Sequence, residues 1–269
     1  MTPALSGATR VIVIVGDPIA QVKSPAGVTA ELLAHGCNAI VVPMHVAPAD
    51  FGQFMRGMQN AQNVDGIIAT VPHKFAAFEH CASSSANARL LGAANVLRRN
   101  ADGTWHGEML DGLGFVAGIV KAGCLMAGRR ALLAGAGGAG SAIALALLDA
   151  GVSRLAIHDA DAARRDSLIA RLAQRYPGTV QAGSADPRGF DVLANATPMG
   201  MREGDPLPLD VARLAPTMFV GDVITVPEHT PLLEAARSAG CGIQTGVGMF
   251  REVQALMVRF FLDSMRPQP

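Results

Sequence analysis

Six residues, Gly135-Ala136-Gly137-Gly138-Ala139-Gly140, have the type and spacing to hold a pyrophosphate. They follow the apolar run 131–134 and open a second apolar run over 142–148. A buried strand, a tight glycine turn and a helix start make a phosphate cradle. The glycines let the backbone approach the ligand, and the free N–H groups of the first helical turn meet its charge. The strand before and the helix after separate this fingerprint from a chance G-x-G-x-x-G. About 20 residues further on, where an acid should hold the ribose, the strand-like Leu155-Ala156-Ile157 runs into His158-Asp159. The competing reading is a tight turn that only serves close helix packing. In this context the motif implies a dinucleotide.

The bulk composition narrows the partners. Half of the 269 residues are hydrophobic, 16% are charged, and Lys plus Arg balance Asp plus Glu at 22 each. That supports a large core and argues against disorder. Zero net charge without a basic block argues against nucleic acid or an anionic membrane as partner. Apolar runs stop well short of the ~20 residues of a membrane span, and Met1-Thr2-Pro3-Ala4-Leu5-Ser6 carries no signal-peptide pattern. Cys37, Cys81, Cys124 and Cys241 are widely spaced. They read as reduced, mostly buried thiols in a cytoplasmic protein, with no metal site.

The elements that position the cradle alternate. Apolar runs predict strands at 11–15, 39–44 and 66–71, and again at 131–134, 154–157, 179–181, 191–194, 218–221 and 242–245. A hairpin is expected around 95–105. Ser24-Pro25 looks like a helix start, with Ser as N-cap and Pro first in the helix. Further helices are expected at 51–58, 75–91 and 111–123, in the intervals after the glycine loop, and from 250 to 265. His73 is expected to be structural and without a partner. Such alternation implies an α/β fold with two domains and largely parallel sheets, divided near Asp111.

Several motifs, in order along nearly the whole chain, resemble the shikimate/quinate dehydrogenase family. They begin with Gly16-Asp17-Pro18-Ile19 and Ser24-Pro25, then Thr70-Val71-Pro72-His73-Lys74, Gly92-Ala93-Ala94-Asn95 and Asp111-Gly112-Leu113-Gly114-Phe115. The glycine loop follows, then Asn195-Ala196-Thr197-Pro198-Met199-Gly200-Met201, Asp222-Val223, Pro227 with Thr230-Pro231-Leu232-Leu233, and Gly246-Val247-Gly248-Met249 with Gln254. The resemblance implies a substrate domain over 1–110, a Rossmann-like dinucleotide domain over 111–249, and a final helix, 250–269, returning to the first domain. It places the active site in the cleft between them. Lys74 matches the family's catalytic lysine and Asp111 its aspartate partner. Ser24, Thr70, Asn95 and Gln254 match substrate contacts. Beside the six glycine-loop residues and Asp159, the cofactor residues would be Asn195, Thr197, Pro198, Met199, Val223, Gly246 and Met249.

The departures lie on the substrate side. Val22 stands where the family has a first serine, Ile68 where it has asparagine, Val96 where it has threonine, and Thr225 where a tyrosine is common. Glu108-Met109-Leu110 precedes Asp111 in place of Asp-Asn-Thr. Val22 and Thr225 are therefore expected at the substrate as altered contacts. The expectation is an oxidoreductase moving a hydride between a nicotinamide and the ring hydroxyl of shikimate, quinate or a related small cyclic hydroxy acid. The alternatives are a same-fold dehydrogenase of a less polar alcohol and a non-catalytic NAD-binding sensor. NAD is expected over NADP, because Asp159-Ala160-Asp161 replaces the family's NADP-binding Asn-Arg-Thr. The protein would be a monomer or homodimer.

Overall fold

The computed structural model describes residues 5–265. Residues 1–4 of the N-terminal reading, and 266–269 of the expected last helix, lie outside the described residues. The chain divides into two compact units: the chain up to Leu110 together with the chain from Gln254, and Asp111–Val253.

The first unit begins with β1 (Arg10–Gly16), α1 (Ser24–Ala34), β2 (Ala39–His45), α2 (Phe51–Asn60) and β3 (Val64–Ala69). It continues with α3 (Lys74–Glu79), β4 (Ser83–Ser84), α4 (Ala86–Leu91), β5 (Val96–Arg99) and β6 (Trp105–Glu108). The sheet order is β2-β1-β3-β5-β6-β4. The first three strands run parallel and β5 and β6 form an antiparallel hairpin, so this sheet is mixed. β1 reads as an unbroken apolar run because both faces are covered, and Ile12, Val13 and Val15 are fully buried. Pro43 is tolerated inside β2 because β2 is an edge strand.

One expectation fails here. The helix predicted over 75–91 is two short helices with β4 between them. Ser85 breaks the run: its hydroxyl accepts the Ala88 N–H and caps α4. Ser83 and Ser84 pair instead with His106 and Gly107 of β6.

The second unit contains α5 (Asp111–Lys121), β7 (Arg130–Ala134), α6 (Gly138–Asp149), β8 (Arg154–His158), α7 (Ala162–Ala173), β9 (Val180–Ala182) and β10 (Val192–Asn195). It ends with β11 (Phe219–Asp222), α8 (Pro231–Ser238), β12 (Gly242–Gln244) and the start of α9 (Gly246–Met265). Its sheet, in the order β12-β11-β10-β7-β8-β9, is parallel throughout. Helices do not fill every interval. Among the described residues 183–191 hold none, and 196–218 hold only a 3-10 turn at Val211–Arg213. These stretches carry Pro187, Pro198, Pro206, Pro208 and Pro216, and proline removes the N–H that a helix interior needs. α9 starts four residues before the expected 250, which puts Gly246 and Met249 inside it. No helix among the described residues is long and apolar enough to cross a membrane.

Candidate active site

In the first unit the carboxyl ends of β1, β2 and β3 lie on one edge of the sheet. Open α/β sheets gather ligands at that edge, where loops and helix starts converge. Ser24 opens α1 directly after β1 and is 4% exposed. It is not the N-cap: Lys23 holds that place with helical dihedrals, Ser24 and Pro25 form the first turn, and no side chain caps the helix. The early turn arises because Lys23 already sits in the helical region and Pro fits either of the first two positions.

Thr70 follows β3, and its N–H donates to the Val15 carbonyl at 2.9 Å. A Cβ on Gly16 would lie 2.4 Å from the Thr70 methyl, so glycine is what lets the end of β1 approach Thr70. Lys74 opens α3 and is buried. Its carbonyl accepts the Ala94 N–H at 2.9 Å, while the Asn95 carbonyl accepts the Ala69 N–H at 2.8 Å. Thr70, Lys74 and Asn95 are thereby gathered on the edge that Ser24 occupies. The Asn95 side chain is buried, and its Oδ1 accepts the Leu110 N–H at 2.8 Å, fixing the backbone one residue before Asp111. His73 is structural, as expected, but it has partners. Its Nε2 pairs with the Val46 carbonyl at 2.8 Å, and its ring stacks on Phe51.

Gln254, in the part of α9 that belongs to this unit, donates from Nε2 to Glu31 Oε1 at 2.5 Å. A Cβ on Gly27 would meet Gln254 Oε1 at 2.1 Å, so the amide rests against the first two turns of α1. Sequence reading missed Glu31 and Gly27. No local pattern joins them to a residue 223 positions beyond Glu31. Val22 is half-buried just ahead of α1.

In the second unit the glycine turn leaves β7 at its carboxyl end. Gly135 has φ +100°, a conformation open to glycine, and its N–H donates to the His158 carbonyl at 2.8 Å. A Cβ on Gly140 would lie 2.0 Å from the Gly135 carbonyl oxygen. Gly137 is the N-cap of α6, and no side chain caps this helix. The first-turn amides of Gly138, Ala139 and Gly140 therefore keep their anion-binding capacity. Asp159 directly follows the neighbouring strand, β8. Its Oδ2 accepts the Ala136 N–H at 2.6 Å and its Oδ1 accepts the Asp161 N–H at 2.8 Å. Asp161 caps α7 through the Arg164 N–H.

The loop after β10 is tied to the same edge. Asn195 is fully buried; its Oδ1 accepts from both the Thr197 N–H and the Thr197 hydroxyl, and its Nδ2 donates to Asp222 Oδ1 at 3.2 Å. The Thr197 hydroxyl accepts the Met199 N–H at 3.2 Å, and Pro198 between them is exposed. A Cβ on Gly135 would meet Ala196 at 2.9 Å, so this loop and the glycine turn are in contact. Asp222 also takes the Thr230 hydroxyl at 2.7 Å and the Ile224 N–H at 3.0 Å. Burial pushes its carboxyl above the usual range despite these donors. Its Asp-Val motif was visible in the sequence; its role as the hub of this network was not. Gly246 brings the start of α9 onto the loop holding Val223 and the half-buried Thr225, since a Cβ there would meet the Ile224 carbonyl oxygen at 2.2 Å. Met249 is buried one turn further on. Asp111 opens α5 and is 7% exposed. Among the described residues no cluster of His, Cys, Asp or Glu could hold a metal.

A mixed α/β unit with polar groups on one sheet edge, and a parallel unit with an uncapped glycine turn, define a two-unit α/β protein with a Rossmann-like nucleotide fold. Residues 14–97 match the family model of the shikimate dehydrogenase substrate binding domain. The chain is 34% identical over 254 residues to the shikimate dehydrogenase (NADP(+)) of Geobacter metallireducens, covering 91% of this chain and 88% of the relative. The solved quinate dehydrogenase from Corynebacterium glutamicum in complex with NAD is 28% identical, with a TM-score of 0.85 over 95% of this chain and 94% of that one. The ligand-free 5-ketofructose reductase of Gluconobacter sp. strain CHM43 is 30% identical, with a TM-score of 0.83 over 95% and 93%. The chain belongs to the shikimate dehydrogenase family.

Proposed function

We propose that the protein is a nicotinamide-dependent oxidoreductase acting on the ring hydroxyl of shikimate, quinate or a related cyclic hydroxy acid. The observation that carries this reading is the burial of the family's proton-handling residues, Lys74 and Asp111, amid diverged neighbours. The first unit takes the substrate through Ser24, Thr70, Asn95 and Gln254, with Val22 as an altered contact; Thr225, in the second unit, is the other altered contact. The second takes the dinucleotide. The uncapped start of α6, and a turn that only glycines can make at Gly135 and Gly140, fit a pyrophosphate. When bound, the nicotinamide supplies the two-electron acceptor or donor. Lys74 and Asp111 hold the substrate hydroxyl, relay its proton and stabilise the developing alkoxide. Asn195, Thr197, Met199, Val223, Gly246 and Met249 support the cofactor.

NAD is the preferred cofactor in this reading, although the Geobacter relative is named for NADP(+). Asp159 sits at the end of β8, and its carboxylate would oppose a 2′-phosphate by about 1 to 4 kcal/mol between water-like and partly buried screening. The same reading takes the protein as cytoplasmic, and as a monomer or homodimer. A neutral alcohol is the second reading. It is favoured by the apolar Val22, the buried Ile68 and Met109, and the named activity of the Gluconobacter relative.

Initial rates with NAD and NADP against shikimate, quinate and a set of neutral polyols decide between them. Turnover of the carboxylates, with kcat/KM at least about tenfold higher for NAD, is expected. Turnover confined to neutral polyols would establish the second reading. NAD binding with no turnover of any member would establish a sensor.

A further inference from the structure

We infer that Asp159 is a positioning residue that locks the glycine turn in its phosphate-ready shape before any cofactor arrives. This deepens the cofactor reading above and rests on it. The carboxylate bridges two backbones: Oδ2 takes the Ala136 N–H at 2.6 Å, and Oδ1 takes the Asp161 N–H at 2.8 Å. Beside it, the Gly135 N–H donates to the His158 carbonyl. Two consecutive amides of the turn are thus tied to two consecutive residues at the end of β8. Only one of those ties depends on a side chain. Arg164 Nη1 stands 3.8 Å from Asp159 Oδ2, the oxygen that takes the Ala136 N–H, and Arg164 also pairs with Asp161.

The Asp159 side chain is 9% exposed, unlike an acid that simply waits in solvent for a ribose. The geometry also partitions the amides. Ala136 spends its N–H on Asp159, which leaves the phosphate to the amides of Gly138, Ala139 and Gly140. A hydrogen bond from an amide to a carboxylate in this setting is worth about ten- to a hundredfold in an equilibrium constant. Glycine-rich chain has the most conformational freedom to lose, so a fixed turn is where such a bond matters most.

The lock separates from a pure ribose contact by what its loss does. If Asp159 only discriminated at the ribose, Asp159→Ala would leave the turn unchanged and improve NADP binding. As a lock, its loss loosens the turn itself and weakens NAD, whatever it does to the discrimination against a 2′-phosphate. The test begins on the cofactor-free protein with amide hydrogen exchange. In Asp159→Ala, exchange at Ala136 is expected to rise about tenfold or more, while the strand amides of β7 and β8 keep their native rates. Calorimetry with ADP-ribose, which lacks both the nicotinamide and a 2′-phosphate, is expected to show binding weakened about tenfold; because it keeps the adenosine ribose, the exchange result is what separates the lock from a ribose contact.

Asp159→Asn retains one acceptor oxygen and loses the charge, so its exchange should fall between native and Asp159→Ala. It decides the matter if the alanine variant does not fold. Native exchange at Ala136 in either variant, or ADP-ribose affinity unchanged in Asp159→Ala, overturns the lock. Failure of the native protein to bind ADP-ribose would instead overturn the cofactor reading while leaving the exchange result standing.

Discussion

Lys74 and Asp111 were legible in the sequence because each lies inside a motif, and each also opens a helix, α3 and α5. If they act as one proton-handling unit, Lys74→Ala should lower kcat by at least ~10²-fold, the usual scale of a general acid–base group. Asp111→Asn should do the same, and the double variant should be little worse than either single one. Near-native turnover in Lys74→Ala would remove the assignment. Glu31 was not legible, since its value lies in a bond to Gln254 on a distant helix. Removing it in Glu31→Ala frees the amide to rotate. The expected signature is a several-fold rise in substrate KM with kcat nearly kept, whereas an equal fall in kcat would mean that Glu31 does more than orient Gln254. Asp159 was legible as an acid at a strand end. Its bond to the Ala136 N–H was not, because no sequence pattern reports which way a carboxylate turns.

At the scale of elements, period and punctuation revealed most strands, and the misses have physical causes. The 75–91 stretch reads as one helix because its apolar spacing is continuous, yet a serine cap and a two-residue pairing with β6 divide it. That pairing is non-local and leaves no mark in the local sequence. β12 carries a different anomaly. Gln244 is 4% exposed and neither amide atom has a hydrogen-bond partner among the described residues, so its burial costs about 1–3 kcal/mol. Gln244→Met keeps the volume without the unmet polar atoms. It should raise the melting temperature by a few degrees, and a fall would show that the amide contributes to the fold. Asp222, at the end of β11, carries a pH signature. Burial raises its carboxyl above the ordinary 3.8. A raised value in the folded state means that its contribution to stability is complete below 3.8 and is lost as pH rises through the folded value. Asp222→Asn cannot ionise, so its unfolding free energy should decline less than the native protein's as pH rises from 3.8 through the raised folded value. Parallel curves in denaturant titrations would contradict this.

For the whole molecule, the alternation of strands and helices was enough to predict an α/β chain, while the stretches 183–191 and 196–218, which hold no α-helix, were overread as helical intervals. The first unit is also discontinuous, since the chain from Gln254 belongs with the chain before Asp111. Phe261 is fully buried there, and a Cβ on Gly66 of β3 would lie 2.4 Å from its ring. Glycine in the strand makes the seat and phenylalanine fills it. Phe261→Ala should cost about 3–5 kcal/mol, read as a lower urea midpoint; a change under about 1 kcal/mol would mean that the last helix adds little to this core. The seat has a consequence in time as well as in energy. During synthesis β3 leaves the ribosome long before its cover, because all of Asp111–Val253 must be translated first. At ordinary translation speeds that delay is roughly ten to thirty seconds. Throughout it the nascent first unit displays an apolar hollow that its own chain cannot yet close, and that interval is when chaperones or aggregation compete for it.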